Sequence, residues 1–369
     1  MPTSRASFGV ISSTFVTRCR AAALATAFLL PPGVAHAAGI FRHRDFSPHS
    51  AWNVKIGRAA KFEAAPGVAG LPVGLDTWAP GDAYTTPCYS AVRSDALHRL
   101  LYNRFAWLKV ERGLWQRSGN PPSVEAEIVA ESSRHFPPPG NVFSSISATS
   151  WVLPPFMQGL PAPPPQKFRF TTDMLPPSGT DGHMAVGQPS GRVVETYGTI
   201  LLSTGDVVAL SYTVSNPAGL GDGHDNGQTA SMLPNYAGLI QDEEMKAGIN
   251  HAMAISAPAS VLTPRIDGPA ATFDRDALTT HPPYSGSLPM GARLALRPGT
   301  SLSLLTPEGR AIAKAAAGYG FIISERGGSG ITLEVRPNAP HQDPLLHTLN
   351  ASLQSDLDAI FAQVAYVPK

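Results

Sequence analysis

The sequence predicts a mainly β protein, an antiparallel β-sandwich of jelly-roll type with a few peripheral α-helices. Three observations carry that expectation. The 369 residues include 34 Gly and 36 Pro beside an ordinary apolar share of 43%, so turns recur too often for long helices to dominate. After Lys167, short apolar runs bounded by Gly, Pro or Asn follow one another at strand length. No fixed-period repeat is visible, which sets aside solenoids and propellers.

Along the chain, residues 1–37 read as an export signal. Arg5, Arg18 and Arg20 supply positive charge, Ala21 to Leu30 an apolar run, and Ala35-His36-Ala37 a small-residue cleavage pattern. The apolar run is about half the roughly 20 residues of a spanning helix, so no membrane insertion is expected. A mature chain beginning near Ala38 would be secreted or periplasmic and would keep Cys88 as its one cysteine. That thiol reads as a small apolar group rather than a nucleophile. Residues 38–369 are expected to form a single β-rich domain, with a possible internal boundary in the Pro-rich loop 137–165, where Trp151 and Phe156 argue for a segment packed on the body.

Trp52 and Ile56 should anchor an irregular stretch from Phe41 to Gly57. Ser94 reads as the N-cap of a helix carrying Leu97, Leu100, Leu101, Arg104, Phe105 and Leu108 up to Gly113. Strands are expected at Phe168–Thr171, Met184–Gly187, Val193–Tyr197, Val207–Val214, Ile249–Ser256, Arg293–Leu296, Phe321–Glu325 and Ile331–Val335. A short helix is read at Gln241–Ala247, and a longer one from the N-cap Thr306 through Pro307 to Gly318. Gly327-Gly328-Ser329-Gly330 should close a hairpin. A last helix from Asp343-Pro344 bears an apolar stripe of Leu345, Leu346, Leu349, Leu353, Leu357 and Ile360.

Polar residues gather between Thr180 and Ile255. Gln188-Pro189-Ser190-Gly191 has the chemistry of a three-residue loop with Gly191 completing a bulge. Register then pairs Gln188 with Arg192, Ala185 with Glu195 and His183 with Tyr197, and alternation places Asp181, His183, Glu195 and Tyr197 on one face. Such a group is costly to bury without partners, so it is either a satisfied network or a solvent-filled cleft. His251 joins it if its strand neighbours this hairpin. Asp222 and Asn226, in the Gly-rich loop 219–227, read as a site rim. Tyr236 is a candidate aromatic contact, and Arg293 a candidate partner for a site carboxylate.

No Gly-x-Ser-x-Gly elbow, phosphate loop or dinucleotide fingerprint occurs. No cofactor is expected, and without a His-x-x-x-His pair or Cys ligands no metal set is assigned.

Taken in order, Asp181-x-His183, Glu195-Thr196-Tyr197, Gly238-Leu239-Ile240-x-x-Glu243-Glu244, Ile249-x-His251-Ala252, Met290-Gly291-Ala292-Arg293-Leu294 and Gly318-Tyr319-Gly320 resemble a largely uncharacterised family of secreted bacterial β-sandwich proteins. The early Ser47-Pro48, Trp52-Asn53 and Ile56-Gly57 resemble that family's start. The resemblance spans most of the chain beyond the signal and implies a sandwich more than any activity. This chain departs from it at Gly198-Thr199, where the family commonly continues in an extended aromatic strand.

The net charge of +1 with 15% charged residues gives no electrostatic case for nucleic acid, and no obligate protein partner is inferred. An open sheet face lined by carboxylates, His and Tyr, with Trp151 and Tyr236 nearby, suits a neutral, hydroxyl-rich polymer better than an anionic one. The expectation is a secreted glycoside hydrolase acting on a neutral polysaccharide. Glu195 and Asp181 would be its acid and base or nucleophile, tuned by His183 and His251, with Tyr197, Asp222, Asn226, Tyr236 and Arg293 contacting substrate. A polysaccharide lyase using Tyr197 or His183 as base, with Arg192, Arg265 or Arg293 near the cleft, and a non-catalytic envelope or carbohydrate-binding protein are the alternatives.

Overall fold

The computed structural model describes residues 41, 45–76, 85–138, 154–278, 282–301, 305–336 and 345–369. The expected export signal, Trp151 and the expected Asp343-Pro344 helix start fall outside them, as do the side chains of Leu345, Leu346 and Leu349. Residues His36–Lys369 cluster as one compact unit.

In chain order the strands are β1 (Val73–Leu75), β2 (Cys88–Ser90), β3 (Leu97–Tyr102), β4 (Gln166–Arg169), β5 (Met184–Gly187), β6 (Val193–Tyr197), β7 (Ile200–Leu201) and β8 (Val207–Ala209). They continue with β9 (Ser211–Ser215), β10 (Met253–Pro258), β11 (Leu262–Ile266), β12 (Leu288–Met290), β13 (Arg293–Leu296), β14 (Phe321–Gly327), β15 (Ile331–Leu333) and β16 (Val364–Val367). Among the described residues five helices accompany them: α1 (Ala106–Glu111), α2 (Pro122–Ala130), α3 (Glu244–Ala247), α4 (Pro307–Gly318) and α5 (Leu345–Phe361).

Three sheets stack in layers. A six-stranded sheet runs β1-β15-β10-β14-β13-β16, a central sheet β2-β5-β6-β9 and an outer sheet β4-β3-β8-β7. On the far face of the first, Ile312 and Ala316 of α4 and Leu357 and Phe361 of α5 pack against Ile255, Leu294 and Phe321. Its near face meets the central sheet through Ala254, Ile322, Ala185 and Val193, with Trp52 and Tyr236 filling between them. The other face of the central sheet, Met184, Val186 and Val194, buries Leu100, Val207 and Ala209 of the outer sheet. Beyond that, α1 and α2 cover Leu101, Ile200 and Val208 with Ala106, Trp115 and Ile128. Alternation explains the stacking: neighbouring residues such as Leu100 and Leu101 serve different cores because successive strand side chains point to opposite faces.

The sheets are mixed rather than purely antiparallel. β10 lies parallel to β14, β3 to β8 and β2 to β5, because the chain crosses between layers and re-enters each sheet from the same end. The helix expected from Ser94 is instead the strand β3 followed, from Ala106, by α1. Leu100 and Leu101 are both buried, a pattern that a helical stripe and a two-sided strand share, and pairing with β4 and β8 decided for strand. The run Val207–Val214 divides at Leu210: β8 stays in the outer sheet and β9 joins the central one. The glycine turn 327–330 closes no hairpin, since β10 sits between β14 and β15. Met184–Gly187, Val193–Tyr197 and Arg293–Leu296 are strands at the expected bounds, whereas the run Ile249–Ser256 becomes β10 at Met253–Pro258, Phe168–Thr171 becomes β4 at Gln166–Arg169, Ile331–Val335 shortens to β15 and the helix of Gln241–Ala247 to α3; α4 runs as expected, with Thr306 Oγ1 accepting the Gly309 N–H at 3.1 Å. Among the described residues no helix is long and apolar enough to cross a membrane.

Candidate functional site

The hairpin β5–β6 has the register its turn chemistry dictates. Gln188 N–H donates to Arg192 O at 2.7 Å, Gly191 takes φ +82°, and Ala185 stands opposite Glu195. His183 and Tyr197 continue that register, with ring centroids 5.1 Å apart. The Tyr197 hydroxyl and the Trp107 indole N–H both approach Asp181 Oδ1 at 3.5 Å.

Asp181 sits on a braced loop. The buried Arg117 guanidinium donates to the carbonyls of Gly179, Thr180 and Thr199, and Gly198 N–H donates to Asp181 O at 2.7 Å. Gly198 takes φ +64°, and a Cβ there would lie 2.8 Å from Leu210 Cβ, so the turn that closes over Asp181 needs glycine. Burial pulls the Arg117 pKa down to about 10, against the pull of Tyr197 and Asp181.

Asp181 and His183 open into a cleft of about 720 Å3 between the central and six-stranded sheets. Its other wall carries Ser256, Glu325, Thr332 and Glu334, with Asp76, Asn235 and Arg326 also lining it. A register shift places Glu325 there. β10 and β14 run in step as far as Ile255 opposite Ile323, and then Ser256 faces Glu325 rather than Ser324. Without that bulge, alternation would turn Glu325 to the opposite face of the sheet. Thr332 faces Ser256 across β10 and β15, so Glu334, two residues on, shares its side.

The electrostatics follow from burial of carboxyl groups close to one another. Burial pushes the Glu334 carboxyl up to about 7, and Asp181 adds to the rise while the Ser324 hydroxyl opposes it. Glu325 is raised well above the usual range by burial and then by Asp274, Asp181 and Glu334, although Ala230 N–H donates to its Oε2 at 2.8 Å. Burial lowers the His183 pKa, Arg117 acting with it and Asp181 against it, so the imidazole is neutral at neutral pH. Its Nδ1, and both side-chain atoms of Asn235, are buried without a hydrogen-bond partner.

Glu195 does not reach the cleft. It is fully buried, with Oε2 accepting Asn235 N–H at 2.7 Å. Oε1 has no partner in hydrogen-bond geometry, although Ser215 and Gln228 lie near enough to favour the charge. Burial prevails and holds the carboxyl up at about 7. The pairing of Asp181 with Glu195 is therefore corrected. Glu195 shares their face, but the face runs from open cleft into closed core, and the carboxyls on which Asp181 acts are Glu325 and Glu334.

The other expected contacts lie elsewhere. His251 is sealed against Glu244, with Nε2 to Oε1 at 3.1 Å and Nδ1 on Ala252 O at 2.8 Å. It precedes β10 at the end away from Glu325 and lines a separate small cavity with Tyr236. Tyr236 itself is packed on Phe46 and bound to Ser215. Asp222 and Arg293 line another groove, of about 450 Å3. Arg293 donates to the carbonyls of Val54 and Ala51, which occupy the guanidinium expected to pair with a site carboxylate. Asp222 accepts His224 N–H and caps its own turn, and Asn226 takes the left-handed φ of +58° after it. Among the described residues no cluster of three or more His, Cys, Asp or Glu could hold a metal ion. The Cys88 thiol is pushed up to about 12 by burial, which leaves it inert as a nucleophile.

The sequence reading missed Arg117, Trp107, Asn235, Glu325 and Glu334. Glu334 had a signal, since Ile331-Thr332-Leu333-Glu334-Val335 alternates and puts two polar residues on one face. Glu325 had a weaker one, a charge at the end of an apolar strand. Arg117 had none. No family model, curated protein or solved structure matches the chain.

Proposed function

We propose that the protein is an exported glycoside hydrolase, in which Glu334 is the proton donor and Asp181 the facing base or nucleophile. The observation that carries this reading is the open cleft that sets Asp181 against Glu334, a carboxyl whose proton is held to about neutral pH. Glycoside hydrolysis needs one carboxyl protonated and another charged across the scissile bond, and an acid is most effective when its pKa lies near the working pH. Neutral His183 and the Tyr197 hydroxyl flank Asp181 and serve to orient it.

The lining favours a substrate without negative charge, because the carboxylates of Asp76 and Asp181 would repel one. That weighs against the lyase alternative, whose uronate would have Arg326 alone to meet it among the described lining residues. The unpaired buried atoms of Asn235 and His183, two residues that line the cleft, weigh against a purely structural network, in which each buried polar group would be satisfied.

The deciding experiment measures reducing ends released from a polysaccharide panel by the wild-type chain and by Glu334→Gln and Asp181→Asn. Hydrolysis abolished in both variants with folding retained is the expected result. Undiminished turnover in either rejects its assignment, and unsaturated, ultraviolet-absorbing products would move the reading to a lyase.

A further inference from the structure

Arg117 has no task in the hydrolase reading, yet it touches each chain segment around Asp181. Its backbone is fixed first: Arg117 O accepts Leu201 N–H at 2.8 Å, which ties the residue to β7. The side chain, in a residue only 4% exposed, then reaches inward. Nε donates to Gly179 O at 3.1 Å, Nη1 to Thr199 O at 3.1 Å and to Ala106 O at 3.4 Å, and Nη2 to Thr180 O. These bonds commit most donors of a rigid planar fork to backbone carbonyls.

The acceptors are chain neighbours of the site groups. Thr180 precedes Asp181, and Thr199 comes just after Tyr197 and Gly198. Ala106 precedes Trp107, whose indole N–H meets Asp181 Oδ1 at 3.5 Å, as the Tyr197 hydroxyl does. Gly182, between Asp181 and His183, packs against the guanidinium: a Cβ there would stand 2.7 Å from Arg117 Nε. A second observation is what this arrangement costs. Among the described residues no carboxylate lies within ion-pair distance of Arg117. A buried cation without a paired anion is expensive to keep. Here the carbonyls compensate it, so the charge is tied to the backbone geometry they define.

We propose that Arg117 is the positioning residue of the cleft: a single guanidinium, through the carbonyls of Gly179, Thr180, Thr199 and Ala106, sets the relative placement of Asp181, His183, Tyr197 and Trp107. Its catalytic consequence rests on the hydrolase reading above, in which Asp181 must face the scissile bond. A reacting group displaced by about 1 Å loses about a hundredfold in rate. Lysine keeps the charge but gathers its donors on one nitrogen, so it does not span carbonyls on separate segments.

The test has one arm that needs no substrate, amide hydrogen exchange of the full chain. The N–H groups of Gly198 and Thr199 donate to Asp181 O at 2.7 Å and Gly182 O at 3.3 Å, and in the wild type they should be as protected as Val194 within β6. Arg117→Lys should speed exchange at both by at least about tenfold, with Val194 unchanged. The second arm measures kcat and KM on a panel polysaccharide that the wild-type chain cleaves. Arg117→Lys should lower kcat about a hundredfold with KM within about twofold of wild type, whereas a role in stability alone would lower Tm and leave kcat intact. Arg117→Gln serves in both arms if the lysine variant does not fold. Unprotected Gly198 and Thr199 in the wild type, or unchanged exchange in a folded variant, overturns the inference. Hydrolysis with kcat unchanged in the variant also overturns it and leaves the hydrolase reading standing. If the wild type cleaves no polysaccharide, the hydrolase reading falls, and exchange alone decides whether Arg117 sets the geometry.

Discussion

Two histidine–carboxylate clusters of similar composition behave in opposite ways. His251 and Glu244 form a closed pair, 3.1 Å apart, in which each group satisfies the other. Burial works against the His251 charge, but the Glu244 carboxylate outweighs it and raises the imidazole's pKa. His183 lies beside Asp181 in the open cleft, and there burial prevails and the pKa is lowered. The difference lies in the surroundings. Arg117 is packed against the Asp181 loop and opposes a second positive charge, whereas the Glu244 carboxylate points straight at its histidine. A closed pair holds structure together. The cluster around Asp181 instead keeps unpaired buried atoms beside an open cleft.

The largest test of that contrast is catalytic. Glu334→Gln should lower hydrolysis about 10⁴-fold, the upper range for a lost general acid, with little change in Tm. Glu244→Gln should leave turnover near wild type. If the second variant lost activity and the first kept it, the two clusters would have to exchange roles.

Next in size is the cost of breaking the closed pair. Glu244→Ala leaves His251 buried without its partner, at a cost of about 3–5 kcal/mol in chemical denaturation. Because the folded imidazole titrates above the unfolded one, the ionic part of this contribution is complete below about pH 6.5 and is lost as pH rises through the raised folded value. The penalty of the variant should therefore shrink toward alkaline pH. A penalty that grew with pH would mean the pair is not ionic.

Glu195 sharpens the comparison with a carboxyl whose pH dependence has the same sign but comes from burial rather than from a partner. Its folded carboxyl titrates at about 7, against about 4.3 when unfolded. Across that window the folded state holds a proton that the unfolded state has released, so stability falls as pH rises. The difference amounts to about 3 kcal/mol. Glu195→Gln should remove that part of the slope in urea titrations at successive pH values, leaving the part due to Glu334 and Glu325. An unchanged slope would mean that the buried carboxyl is not the source.

The smallest expected effect lies far from both clusters. Thr306→Ala removes the cap of α4 and should cost about 1 kcal/mol, with activity and the pH slope unchanged. A shift in either would show that α4 reaches the cleft energetically.

Much of the frame was legible because it depends on neighbours in sequence. The Pro189-Ser190-Gly191 loop fixed the β5–β6 register through backbone geometry alone, and Thr306-Pro307 set the start of α4 through capping. The β3 segment was misread because Leu100 and Leu101 fit either period, and only pairing with β4 and β8 settles which. Glu195 was misplaced for a related reason: alternation gives the side of a strand, not what covers that side further along it. The local sequence thus determined which residues turn, which extend, and that Asp181, His183, Glu195 and Tyr197 share a face. Tertiary structure decided the rest. The order of β10 between β14 and β15, the bulge opposite Ser256, and Arg117 reaching the 180s loop all join distant segments, and the energies of those contacts exist only once the layers have packed.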